Sequence, residues 1–289
     1  MRILFFSILF ATSFFTFSQS SNEYAGLLKL NDTTAITYRV VFKESNGMLS
    51  GYSITDFGGE HETKSNIKGT YDDKSNELSF YETGIVYTKS TFISNDFCFV
   101  HLEPIKFKLG KTKSFKGKFL GKFSDGVKCI DGEVFLNAIE RIEKLVTKVT
   151  KKLNNSKKVS DSIKREFNNL KIMDSINLNV LKRNQTTSVF TKSNKVNLII
   201  YDGGKIDNDI ITVLKDGKII LLKHKITEKK EILEIELTSN KTTITIIADS
   251  VGSIGTNTAV VEFKDDVNDI KTLTNLNKGE KTIIDILKR

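Results

Sequence analysis

This chain of 289 residues carries none of the short signatures that mark a catalytic machine. It has no Gly-x-Ser-x-Gly, no His-Glu-x-x-His, no Walker loop and no Cys-x-x-Cys. Those absences remove the nucleophile elbow, the zinc-protease helix, the phosphate-cradling loop and the paired redox thiols as readings. Histidine is scarce: there are three, His61, His101 and His224, and neither His101 nor His224 has a partner that the sequence names. Ser65-Asn66-Ile67-Lys68 fits Ser-x-x-Lys but reads as strand surface. After Gln19 no apolar run is long enough to span a bilayer. No cysteine lies near the start of the chain, so a lipoprotein anchor is not expected.

The chain start itself is rich in apolar residues. Met1-Arg2 is short and positive, Ile3 to Phe17 is almost unbroken apolar and aromatic sequence, and Thr16 and Ser18 are small residues at the places a signal peptidase reads. This is the three-part layout of a secretory leader, with cleavage expected after Ser18. The run of roughly 15 residues is shorter than the ~20 that span a bilayer. The expected location is therefore outside the cytoplasm: periplasm, cell surface or extracellular space. In such an oxidising compartment Cys98 and Cys129 are expected to pair, with two buried thiols as the alternative.

The net charge is +9, but it is concentrated. Residues 139–183 hold 12 Lys and Arg against 5 Asp and Glu, and the remainder is close to neutral. That stretch reads first as a solvated helical face and second as an attractor of anionic polymers. Nucleic acid is not an expected partner, since basic and aromatic residues are not interleaved on a recognisable fold.

Apolar residues alternate with period two from about Glu23 to Asn137. Ile36, Tyr38, Val40 and Phe42 share one face, and Thr37 and Arg39 the other. Phe115, Phe119 and Phe123 share a face with Gly117 and Gly121 between them, while Lys116, Lys118 and Lys122 point away. Turn signals such as Ser45-Asn46-Gly47, Asp72-Asp73-Lys74-Ser75-Asn76 and Asp125-Gly126 recur every ~8–15 residues. The pattern predicts eight or nine strands in an antiparallel meander β-barrel over 23–137, closed so that no edge is exposed. It is broadly similar to lipocalin-like and avidin-like barrels, by pattern alone. A barrel plugged by its own Phe and Tyr side chains and one holding a small apolar ligand in its mouth are both compatible. Glu60-His61-Glu62 could suggest a metal site, but alternation puts both glutamates opposite the histidine so that the three cannot converge, and a solvent-facing loop is the better reading.

The period changes next. Leu136, Ile139, Ile142, Leu145, Val146, Val149 and Leu153 recur at helical spacing and predict an amphipathic helix that packs on the barrel or caps one end. A weaker helical stretch over 160–172 and an Asn/Lys/Thr-rich linker complete a basic helical connector over 138–186. Asp161-Ser162-Ile163, Asp174-Ser175-Ile176 and Asp249-Ser250-Val251 resemble a short acceptor pattern for bacterial O-glycosylation.

From 187 to 289 eight short strand-like runs appear in ~100 residues, with a tight-hairpin signal at Lys215-Asp216-Gly217, predicting a C-terminal β-sandwich. Asp202, Asp207 and Asp209 cluster on a Gly-rich loop. Hard oxygen ligands on one loop suit calcium, which takes six to eight oxygens, and the rival reading is a turn whose carboxylates accept backbone N–H bonds. The stretches 201–209, Tyr-Asp-Gly-Gly-Lys-Ile-Asp-Asn-Asp, and 247–259, with Gly252-Ser253-Ile254 before Asn257-Thr258-Ala259, resemble a C-terminal module found in many uncharacterised exported bacterial proteins. The resemblance implies a sandwich with a non-catalytic role.

The sequence therefore predicts an exported, mostly β binding or adhesion protein engaging a glycan or an envelope protein through the sandwich loops, with no cofactor expected and calcium at the Asp loop as the lesser reading beside the plain turn. The alternative is a carrier with a small apolar ligand in the barrel. A hydrolase with carboxylates assembled in space is the second alternative.

Overall fold

The structure, a computed structural model, describes residues 21–30, 34–91, 96–156, 158–162, 164, 179–203, 208–252 and 255–289. The expected leader, most of the second helical stretch, Asp174–Ile176 and Asp207 lie outside the described residues.

Eight strands follow one another as a meander: β1 (Asn22–Lys29), β2 (Ala35–Ser45), β3 (Met48–Thr55), β4 (Thr63–Asp72), β5 (Glu77–Thr88), β6 (Phe99–Lys106), β7 (Ser114–Lys122) and β8 (Lys128–Ala138). β1 pairs with β8 and β6 pairs with β5, so the sheet closes into an antiparallel barrel. The β2–β3 hairpin turns through Asn46 and Gly47, with φ of 52° and 79°, the left-handed pair that a two-residue turn matched to strand twist requires. On β7, Phe115 and Phe119 are buried while Lys116 and Lys118 are exposed, as the alternation requires.

Inward-facing side chains differ between the two ends of the barrel. At one end Tyr24, Phe42, Phe107 and Phe115 form an aromatic plug, with ring centroids 5.2–6.1 Å apart. Toward the other end the inward positions of β3 and β4 become small and polar. In register, Leu49 faces Gly69 and Gly51 faces Ile67, but then Ser53 faces Ser65 and Thr55 faces Thr63. Two adjacent pairs of small residues leave volume that no side chain of the described residues fills.

β8 runs directly into α1 (Ile139–Asn154), the helix the periodicity predicts. Leu136 belongs to β8 and is buried in the barrel, whereas α1 has no buried residue and exposes Leu145 and Val149 by about half. Packing of the helix on the barrel is thus not found beyond its first turn, where Glu140 pairs with Lys113 at 3.0 Å. Helix and strand are joined without a loop, so nothing turns the helix axis back over the barrel wall.

The C-terminal strands form two layers. β9 (Asn179–Leu181), β11 (Lys195–Asp202), β14 (Glu231–Glu236), β16 (Ala259–Lys264) and β17 (Asp269–Thr274) make one sheet, in the order β14-β11-β16-β17-β9. β10 (Thr186–Thr191), β12 (Ile210–Lys215), β13 (Lys218–Lys225), β15 (Lys241–Ser250) and β18 (Lys281–Lys288) make the other, in the order β13-β12-β15-β18-β10. Leu198, Ile200, Val261 and Phe263 of the first layer meet Ile211, Val213, Ile244 and Ile284 of the second in one core. β9 lies in the stretch that composition alone marks as linker. The second layer is continuous with the barrel, because β10 pairs with the end of β5 at Ser188–Thr88 and Val189–Tyr87. Val86 and Tyr87 accordingly belong to the sandwich core although they lie on a barrel strand.

Candidate functional site

The β5–β6 ladder stops at Tyr81–His101, and the β5–β10 ladder starts at Tyr87. Between them, at Glu82, a side chain takes over the role of a strand neighbour. Glu82 Oε2 accepts the backbone N–H of Val100 on β6 at 2.8 Å. Its Oε1 accepts the Tyr38 hydroxyl at 3.0 Å and the Ser53 hydroxyl at 2.5 Å. Glu82 is 5% exposed, and burial pushes its carboxyl above the usual carboxylate range against the pull of these three donors. Burial, and then the neighbouring Glu82, likewise hold the Tyr38 phenol well above its ordinary value.

Glu82 lines a cavity of about 510 Å³ at the end of the barrel opposite the aromatic plug. Thr55, Thr63 and Ser65 supply its small walls, Ile36, Phe97 and Phe99 its apolar ones, and Asp56 and His61 also line it. The small walls are the register pairs that leave the barrel unfilled. Ser65 is 4% exposed, and its hydroxyl has no hydrogen-bond partner among the described residues. The Ser-x-x-Lys reading as strand surface is corrected here: Ser65 points into the barrel, and Lys68, at the opposite parity, points out. Cys98 also lines the cavity and is bonded to Cys129, closing the expected disulfide across β7. The bridge passes over Gly121, where an added Cβ would sit 2.5 Å from Cys98 Sγ.

Beside this cavity lies a second buried carboxylate. Glu62, expected in a solvent-facing loop, is 4% exposed, while His61 next to it is exposed. Its carboxylate accepts the Gly58 N–H at 2.6 Å and the Tyr87 hydroxyl at 3.0 Å, and pairs with Lys89 Nζ at 3.0 Å. Burial pulls the Lys89 ammonium down and Glu62 pulls it up. Alternation did place Glu62 away from His61, but on the protein side. Arg39, on the face opposite Tyr38 and Val40, is also buried and pairs with Glu23.

The Asp loop is built differently. Asp202 ends β11 and is buried. Asp209 is 3% exposed and clasps the later loop, since Oδ1 accepts the Gly252 N–H at 2.7 Å and Oδ2 accepts the Thr258 N–H at 2.8 Å. Asn257, fully buried, donates to the carbonyls of Ser250 and Ile210 at 3.0 and 3.3 Å. The two stretches singled out in the sequence therefore lock onto each other. No group of three or more His, Cys, Asp or Glu able to hold a metal is found among the described residues. Ser250 lies at the end of a strand. No helix among the described residues is long and apolar enough to cross a membrane.

Glu82 and the cavity were missed by motif search because neither is a motif. The available signal was the shrinking size of the inward positions along β3 and β4. No protein-family model matches the chain, and none of the curated proteins or solved structures compared with it is similar.

Proposed function

We propose that this is an exported, non-catalytic binding protein that holds a small ligand in the mouth of its N-terminal barrel. The observation that carries the reading is the cavity of about 510 Å³, which ends on a buried, fully oriented carboxylate and lies within the 300–1,000 Å³ range of small-molecule sites. Apolar walls with a few convergent polar groups are what such a site needs: area for affinity and fixed polar atoms for orientation. The secretory leader supplies the compartment.

The rival reading places a glycan on the sandwich loops with calcium at Asp202, Asp207 and Asp209. Both carboxylate oxygens of Asp209 already serve backbone N–H groups, which favours the barrel over that loop.

One preparation of the mature protein, from Gln19 onward, tests both. Denaturing extraction and mass spectrometry are expected to release a small molecule from the wild type and none from Ser65→Leu, which fills the cavity. An empty wild type, together with polysaccharide binding that calcium restores and chelator removes, would shift the function to the sandwich.

A further inference from the structure

Glu62 and Glu82 are a matched pair with one difference. Each is buried, and each accepts a tyrosine hydroxyl and a backbone N–H. The third donor to Glu62 is the Lys89 ammonium, whereas the third donor to Glu82 is the neutral Ser53 hydroxyl. Among the described residues no Lys or Arg pairs with Glu82. A carboxylate taken out of water without an opposite charge is strongly disfavoured, and the deficit is met by a proton or by a cation. Glu62 has its cation within the fold. Glu82 instead lines an open cavity.

The rest of the lining points the same way. Its other carboxylate is Asp56, and no Lys or Arg contributes to it among the described residues. Among the described residues Glu82 Oε2 accepts one hydrogen bond and has a second lone pair, and Ser65 offers a nearly buried hydroxyl with no partner among them. Ile36 and Phe97 supply an apolar wall.

We propose that the ligand of the barrel mouth is a small organic amine, its ammonium set against Glu82 and its apolar body against Ile36 and Phe97. The inference rests on the cavity being the binding site. The ammonium supplies the charge that Lys89 supplies to Glu62, and Ser65 accepts a second of its N–H groups.

The absence of tryptophan makes the test direct, because indole fluorescence then belongs to the probe alone. Tryptamine, tryptophol and indole-3-propionate share one ring system and carry a cation, a neutral hydroxyl and an anion. Titrated into the full mature protein, tryptamine is expected to bind about tenfold more tightly than tryptophol, and indole-3-propionate more weakly than either. Glu82→Gln is expected to bring the amine-to-alcohol ratio close to one, with circular dichroism checking the fold. If that variant does not fold, the wild-type ratio decides. Tryptophol or the acid binding as well as the amine, with both lost in Ser65→Leu, would overturn the amine and leave the cavity standing. No binding of any probe, together with an empty extracted protein, would overturn both.

Discussion

At the scale of single residues, Glu82 is the group on which the candidate site turns. Glu82 shares the parity of the buried Leu78 and Phe80, so the pleat turns it into the barrel, where it has protein donors. Its carboxyl is held above its value in the unfolded chain, mainly by burial. In the interval between the two values the folded state keeps a proton that the unfolded chain, titrating near pH ~4.3, has lost. Its contribution to stability is therefore complete below the unfolded value and is lost as the pH rises through the folded one. Urea unfolding across this range should show the wild type losing stability with rising pH relative to Glu82→Gln. Parallel curves would mean that Glu82 titrates in the fold as it does in the unfolded chain.

Among elements, the disulfide, the shared strand and the helix show different degrees of legibility. Two cysteines leave one possible pairing, so Cys98–Cys129 was the expected bridge, with buried thiols as the alternative. Its position could not be read: it joins the segments entering β6 and β8 across Gly121 of β7 and lies at the cavity. Replacing both cysteines by serine opens a loop with a sequence separation of 31. The expected cost is about 3 kcal/mol in urea unfolding, from the freedom restored to the unfolded chain. An unchanged midpoint would mean that the barrel closes this loop without the bond. The helix is the converse case. Its periodicity was plain, but the direction in which its apolar stripe points depends on how β8 leaves the barrel, which no local pattern encodes.

For the whole molecule, the organising fact is that β5 serves two bodies. Its first half pairs with β6 and lines the barrel, while its last residues pair with β10 and send Val86 and Tyr87 into the sandwich core. Tyr87 also donates to Glu62, tying the ion pair with Lys89 to the same junction. The expectation is one cooperative unfolding transition. Tyr87→Ala should lower it by about 3 kcal/mol, as for loss of a large buried ring. Hydrogen exchange should show Phe80 in the barrel and Ile244 in the sandwich losing protection together. Protection lost in one body and kept in the other would show that the junction does not couple them.

The sequence by itself determined the strand periods, the Asn46-Gly47 and Asp216-Gly217 hairpins, the helix and the pairing of the cysteines, because each is set by neighbours within a few residues or by elimination. It also carried the mostly β class with a meander barrel first and two packed sheets after it. Only the tertiary structure decided that Ser53 stands opposite Ser65 and Thr55 opposite Thr63, that Glu82 meets Tyr38 and Val100 from other strands, and that Asp209 reaches Gly252 and Thr258. Those contacts join residues 8 to 49 positions apart, and the ones within the barrel follow from register and closure. A one-residue slip of β3 or β4 would turn its small inward residues to the opposite face.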